Sequence, residues 1–163
     1  MVRVIVPKSH EDIFRSRWQS HPLERMGYSI AYKPDNSLLI CMVSFPTERL
    51  DRGTAVGIRA SDEQVQRTAN IWDISRNRYL ELLAVHSHPI EGISEQDEKT
   101  LRSLTSWGLY NSLVITPTRI TSYNTSTGMV ITPNLVQIVP DEEVSRKCNH
   151  MYPAIKEILF PNR

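Results

Sequence analysis

The chain has 163 residues, 40% of them hydrophobic and 23% charged, with a formal net charge of +1. That length suits one well-packed core and is short for two ordinary domains, so residues 1–163 are expected to form a single domain. A field this weak would gather neither nucleic acid nor an anionic membrane, and the longest wholly apolar run, Leu38 to Val43, is far too short to cross a bilayer.

The apolar start Val4 to Val6 passes Pro7 and turns polar from Lys8, which predicts a strand and a helix start rather than a secretory leader. Ser9 with Asp12 three positions on resembles a helix N-terminal box, and Ile13, Phe14 and Trp18 supply an apolar face up to about Ser20. His21 and Pro22 end that helix. Alternation of Tyr28, Ile30 and Tyr32, a turn over Lys33 to Ser37 and the run Leu38 to Phe45 predict a hairpin.

A second helix is expected from Ser61 through Val65, Ala69 and Trp72 towards Asn77, followed by a strand from Tyr79 to His88. A third helix opens at Ser94 and carries Leu101, Leu104 and Trp107 before Gly108 stops it. Strands follow at Ser112 to Thr116, Arg119 to Tyr123 and, interrupted at Pro133, Met129 to Val139. The tail Asp141 to Leu159 reads as helical with a break near Pro153. Helices alternating with strands and hairpins predict an α/β fold, a central mixed β-sheet flanked by helices. Cys41 and Cys148 show no CxxC spacing and read as unpaired thiols in a reducing cytoplasm.

The segment that carries chemistry is His86 to Asp97, HSHPIEGISEQD. In an extended strand, side chains at i and i+2 point to one side, so His86 and His88 offer two imidazoles to a single point. Pro89 ends the strand, a short loop follows, and Ser94 caps the next helix, placing Asp97 in its first turn with its carboxylate able to face back. Two neutral nitrogens and one carboxylate suit a divalent zinc and leave a fourth position open, the arrangement of a catalytic site in which the pKa of water falls to roughly 7. The plain alternative is the polar face of a strand beside an ordinary helix cap; the order in which the parts occur favours the metal.

These residues resemble the JAMM (JAB/MPN) metallopeptidase family, whose signature is HxHP, a spacer and SxxD with a glutamate far upstream. Here the elements are His86, His88, Pro89, Ser94 and Asp97, and the order of elements is similar from about Arg15 to Val139. The resemblance implies one zinc ion per chain, held by His86, His88 and Asp97. It also implies an upstream glutamate in an ExxG context, which Glu24 fits ahead of Met26 and Gly27, with Glu48 and Glu81 as other carboxylates able to approach. In the family that glutamate takes a proton from the attacking water and hands it to the leaving amine, and Ser94 would polarise the scissile carbonyl.

The substrate implied is an amide at the C-terminus of a ubiquitin-like protein, as precursor or conjugate, as in stand-alone bacterial relatives, with neither nucleic acid nor membrane as partner. Five residues separate His88 from Ser94, where the common pattern has about seven, so the loop beside the metal is abbreviated. Relatives of this fold that have lost the metal serve as scaffolds, the alternative function. A nucleobase deaminase needs HxE and PCxxC, which are absent. The isolated histidines His10, His21 and His150 read as surface or capping residues, and the tryptophans as core.

Overall fold

A computed structural model describes residues 1–19, 26–46, 73–126 and 128–159. Its strands are β1 (Arg3–Pro7), β2 (Met26–Asp35), β3 (Leu38–Pro46), β4 (Leu80–Ser87), β5 (Asn111–Ile115), β6 (Ile120–Thr125), β7 (Ile131–Pro133) and β8 (Leu135–Val139). They form one mixed sheet of eight strands in the order β7-β6-β5-β4-β2-β3-β1-β8. The described helices are α1 (Lys8–Ile13), with a π-helical continuation Phe14–Gln19, α2 (Glu95–Leu104), α3 (Asp141–Cys148) and α4 (Tyr152–Leu159). The fold is therefore α/β, with helices against both faces of a mixed sheet.

Strand β4 is central because Leu80 to Val85 can be buried on both sides, which a strand does only when each face is covered. On one face Leu80, Leu82 and Ala84 join Ile30, Ile40, Val144, Cys148 and Ile155, so α3 and α4 close this side, with Leu104 of α2 packed against it. On the other face Leu83 and Val85 meet Val4, Phe14, Leu113 and Ile115, and the segment after α1 supplies the cover. Each fully buried side chain contributes roughly 1.5–3 kcal/mol.

The hairpin forms as expected, with β2 extended to Asp35, whose carboxylate accepts from the Ser37 amide at 2.8 Å and tightens the turn. Pro133 interrupts the late strand as expected: Asn134 lies between β7 and β8, and its amide donates to Ser122 O at 2.8 Å. Pro153 sits in the first turn of α4, where its missing N–H costs nothing, and the break falls just upstream in the 3₁₀ turn Asn149–Met151.

Four expectations are corrected. Ser9 does not cap α1: the helix already runs from Lys8, and the Ser9 amide donates to Asp141 at 2.9 Å. Trp107 is 66% exposed, because α2 gives way after Leu104 to a 3₁₀ turn that takes Trp107 off the apolar stripe. Gly108 does stop the element, in the left-handed conformation at φ 83°. His10 is partly buried, its Nδ1 2.9 Å from Ser44 Oγ. Where it is described, the expected second helix is a 3₁₀ turn, Asp73–Arg76; Ser61 to Trp72 lie outside the described residues.

Candidate metal centre

His86 pairs in the ladder with Met26 of β2 on one side and Val114 of β5 on the other, and β4 and β5 run parallel. Ligands in α/β sheets gather at the carboxyl ends of such strands, and this is where the strand alternation delivers both imidazoles. His88 lies one residue beyond β4 yet stays extended, its amide donating to Ile115 O at 2.8 Å. Pro89 then turns the chain away.

Helix α2 begins with a reciprocal capping box. The Asp97 amide donates to Ser94 Oγ at 3.1 Å, and the Ser94 amide donates to Asp97 Oδ2 at 3.0 Å. The cap turns the carboxylate back towards the strand end. Asp97 Oδ2 stands 3.0 Å from His88 Nε2, and Oδ1 stands 3.6 Å from His86 Nε2. The two rings lie 6.0 Å apart between centroids, inclined at 80°. His86 Nε2 is buried with no hydrogen-bond partner.

The protonation of this group follows from one neighbour. His88 Nδ1 lies 2.8 Å from Ile90 O, and a carbonyl can only accept, so Nδ1 carries the proton. In the neutral ring Nε2 then presents a lone pair to a carboxylate oxygen. Two electron-rich atoms stay at that distance only with positive charge between them, either a second proton on the imidazole or a cation. The His86 imidazole, reinforced by the Ser94 amide and hydroxyl, holds the Asp97 carboxyl far below the ordinary carboxylate range, against the opposing effect of burial. Asp97 is thus an anion at any ordinary pH.

Donor atoms bound to a tetrahedral zinc at 2.0–2.1 Å lie roughly 3.3–3.4 Å from one another. The two carboxylate-to-imidazole distances, 3.0 and 3.6 Å, fall on either side of that spacing. As they stand, no group of three or more His, Cys, Asp or Glu side chains among the described residues is arranged to hold a metal ion. The donor set has the right chemistry, but the carboxylate is drawn onto His88 and stands off from His86.

Ser94 is the helix cap, its oxygen accepting from the Asp97 amide while its hydroxyl helps to hold the Asp97 carboxylate. Glu24 and Glu48 lie outside the described residues. Glu81 is excluded as a base by strand parity. It is an odd-numbered residue of an unbroken ladder and faces away from His86, where it accepts from Asn111 Nδ2 at 2.6 Å with Lys33 Nζ at 3.5 Å. Sequence reasoning missed Ile90 and Glu91, which form the loop beside the histidines; nothing in their pattern signals the contacts they make.

No protein-family model matches the chain, and no curated protein does. Among solved structures it is similar to the solution structure of protein DSY2949 from Desulfitobacterium hafniense, with a TM-score of 0.55 and 15% identity over 84% of this chain and 93% of that one. At that identity the likeness establishes a shared fold. No helix among the described residues is long and apolar enough to cross a membrane.

Proposed function

We propose that this chain is a zinc-dependent amide hydrolase of the JAMM type, acting at the C-terminus of a ubiquitin-like protein in precursor or conjugate form. The observation that carries the reading is the convergence of His86 Nε2, the His88 Nε2 lone pair and the Asp97 carboxylate, which together call for positive charge among them. His86, His88 and Asp97 would hold the metal. A zinc ion there would supply the acidification of water and the polarisation of a carbonyl that amide hydrolysis at neutral pH requires.

The chain's own groups do the rest. Glu24 is two residues before Met26, the ladder partner of His86, and is assigned the transfer of a proton from the attacking water to the leaving amine. Ser94, the cap beside the histidines, is assigned the polarisation of the scissile carbonyl, its hydroxyl passing from the Asp97 carboxylate to that oxygen, a contribution of roughly 3 kcal/mol in hydrolases. Both cysteines are buried and free, in keeping with a reducing cytoplasm.

The test is incubation of the zinc-loaded protein with ubiquitin-like fusions and isopeptide conjugates, read by mass. Cleavage after the ubiquitin-like C-terminus is expected for the wild type. Glu24→Gln should retain zinc and lose about 10²–10⁴-fold in rate; full activity in that variant would remove Glu24 from the mechanism. A scaffold reading is favoured by the direct contact of the carboxylate with His88 and the lack of a ready-made donor cage among the described residues. A purified protein that takes up no zinc when it is offered would decide for the scaffold.

A further inference from the structure

The short loop between the two halves of the proposed centre is tied to a different part of the sheet. Glu91 Oε1 accepts from the Thr118 amide at 3.0 Å and from the Thr118 hydroxyl at 2.6 Å. Arg119 Nε lies 3.7 Å from Glu91 Oε2, with both side chains largely in solvent, so this ion pair adds little. A carboxylate taking two hydrogen bonds, one of them from the backbone, is the stronger tie. The Thr118 hydroxyl, with the Thr118 amide behind it, holds Glu91 below the ordinary carboxylate range, so it stays an acceptor.

The turn that Glu91 grips is itself anchored. Arg15 Nη1 donates to Thr116 O at 2.7 Å, and Thr116 Oγ1 donates to Arg119 O at 2.9 Å. One residue before Glu91 is Ile90, whose carbonyl receives the His88 Nδ1 proton. The side chain of Ile90 is 64% exposed, so its own packing anchors the carbonyl weakly, and Gly92 on the other side has φ 83°. The Glu91 tie is the nearest side-chain anchor to that carbonyl.

Resting on the metal reading above, we infer that Glu91 is a positioning residue: by clasping Thr118 it holds the Ile90 carbonyl against His88 Nδ1 and so selects the ring form whose Nε2 can bind a cation. Partners of this kind, one step removed from a metal, commonly change metal affinity by 10–100-fold. The clasp offers a physical means by which an abbreviated loop can still present a correctly oriented imidazole.

The experiment compares wild type, Glu91→Ala and Glu91→Gln as full chains. Histidine ¹⁵N spectra of the zinc-free proteins at alkaline pH report which His88 nitrogen carries the proton, and chelator competition reports zinc affinity. Wild type is expected to carry the proton on Nδ1. Glu91→Ala should show proton density on both nitrogens and bind zinc about 10–100-fold more weakly. Glu91→Gln keeps an oxygen for Thr118 and should remain within about threefold of wild type, which separates the hydrogen-bonded clasp from simple charge loss. An unchanged His88 signature in Glu91→Ala would overturn the inference even if wild type binds zinc. A changed signature in a protein that takes up no zinc would uphold the clasp and sink the metal reading instead.

Discussion

Replacing Asp97 by alanine separates two tasks assigned to one carboxylate. In the zinc-free protein the substitution removes the acceptor for the Ser94 amide, half of a capping box, at a cost of about 1 kcal/mol. For a chain of 163 residues that corresponds to a fall in Tm of about 2–4 °C. A ligand that binds only the folded state adds about 2.7 kcal/mol of stability at one hundred times its Kd. Zinc at that excess should therefore raise the wild-type Tm by about 5–11 °C, and Asp97→Ala should lose most of that rise in addition to its cap. Differential scanning fluorimetry with a zinc titration reads both effects. If Asp97→Ala keeps the full zinc-dependent rise, the carboxylate is not a ligand; if the wild type shows no rise at millimolar zinc, the proposed centre is wrong.

Three further outcomes are expected from the fold. Leu83 is fully buried on the inner face of β4, and Leu83→Ala should cost about 2–5 kcal/mol by urea denaturation. Asn111 bonds the buried Glu81 carboxylate and accepts from both Asn124 and Asn134 at 2.9 Å, so Asn111→Ala leaves buried polar groups unpaired at about 1–3 kcal/mol, read in the same way. Burial pushes the His10 imidazole below its ordinary value, opposed in part by Asp141 and the Met42 backbone. The unfolded chain takes a proton on His10 near pH 6.5 that the folded chain resists. Its contribution is whole above that pH and is lost as pH falls through the lowered folded value. Urea midpoints should fall between about pH 7.5 and about pH 5.5, with a smaller fall in His10→Gln; equal falls would exclude His10 as the cause.

The residues of the candidate centre were legible in the sequence because each depends on a short-range rule. Strand alternation puts His86 and His88 on one side, Pro89 stops the strand, and a Ser94 cap puts Asp97 in the first turn; none of these needs a distant contact. The hairpin, the α/β class and the interruption at Pro133 follow from equally local signals. Trp107 and Ser9 show where such rules stop: a helix that tightens after Leu104 moves its next aromatic into solvent, and a helix that starts two residues early leaves its expected cap to bond Asp141.

What tertiary structure alone decided lies in contacts across long stretches of chain. The face occupied by Glu81 depends on an unbroken register with β2, and its burial is compensated by Asn111, thirty residues away. The protonated nitrogen of His88 depends on where the Ile90 carbonyl sits, and Thr118, reached only after a helix and a strand, ties the neighbouring residue down. Local sequence settles which atoms a ligand offers. The direction in which its lone pair points is set by groups that become neighbours only when β4, β5 and β6 lie side by side.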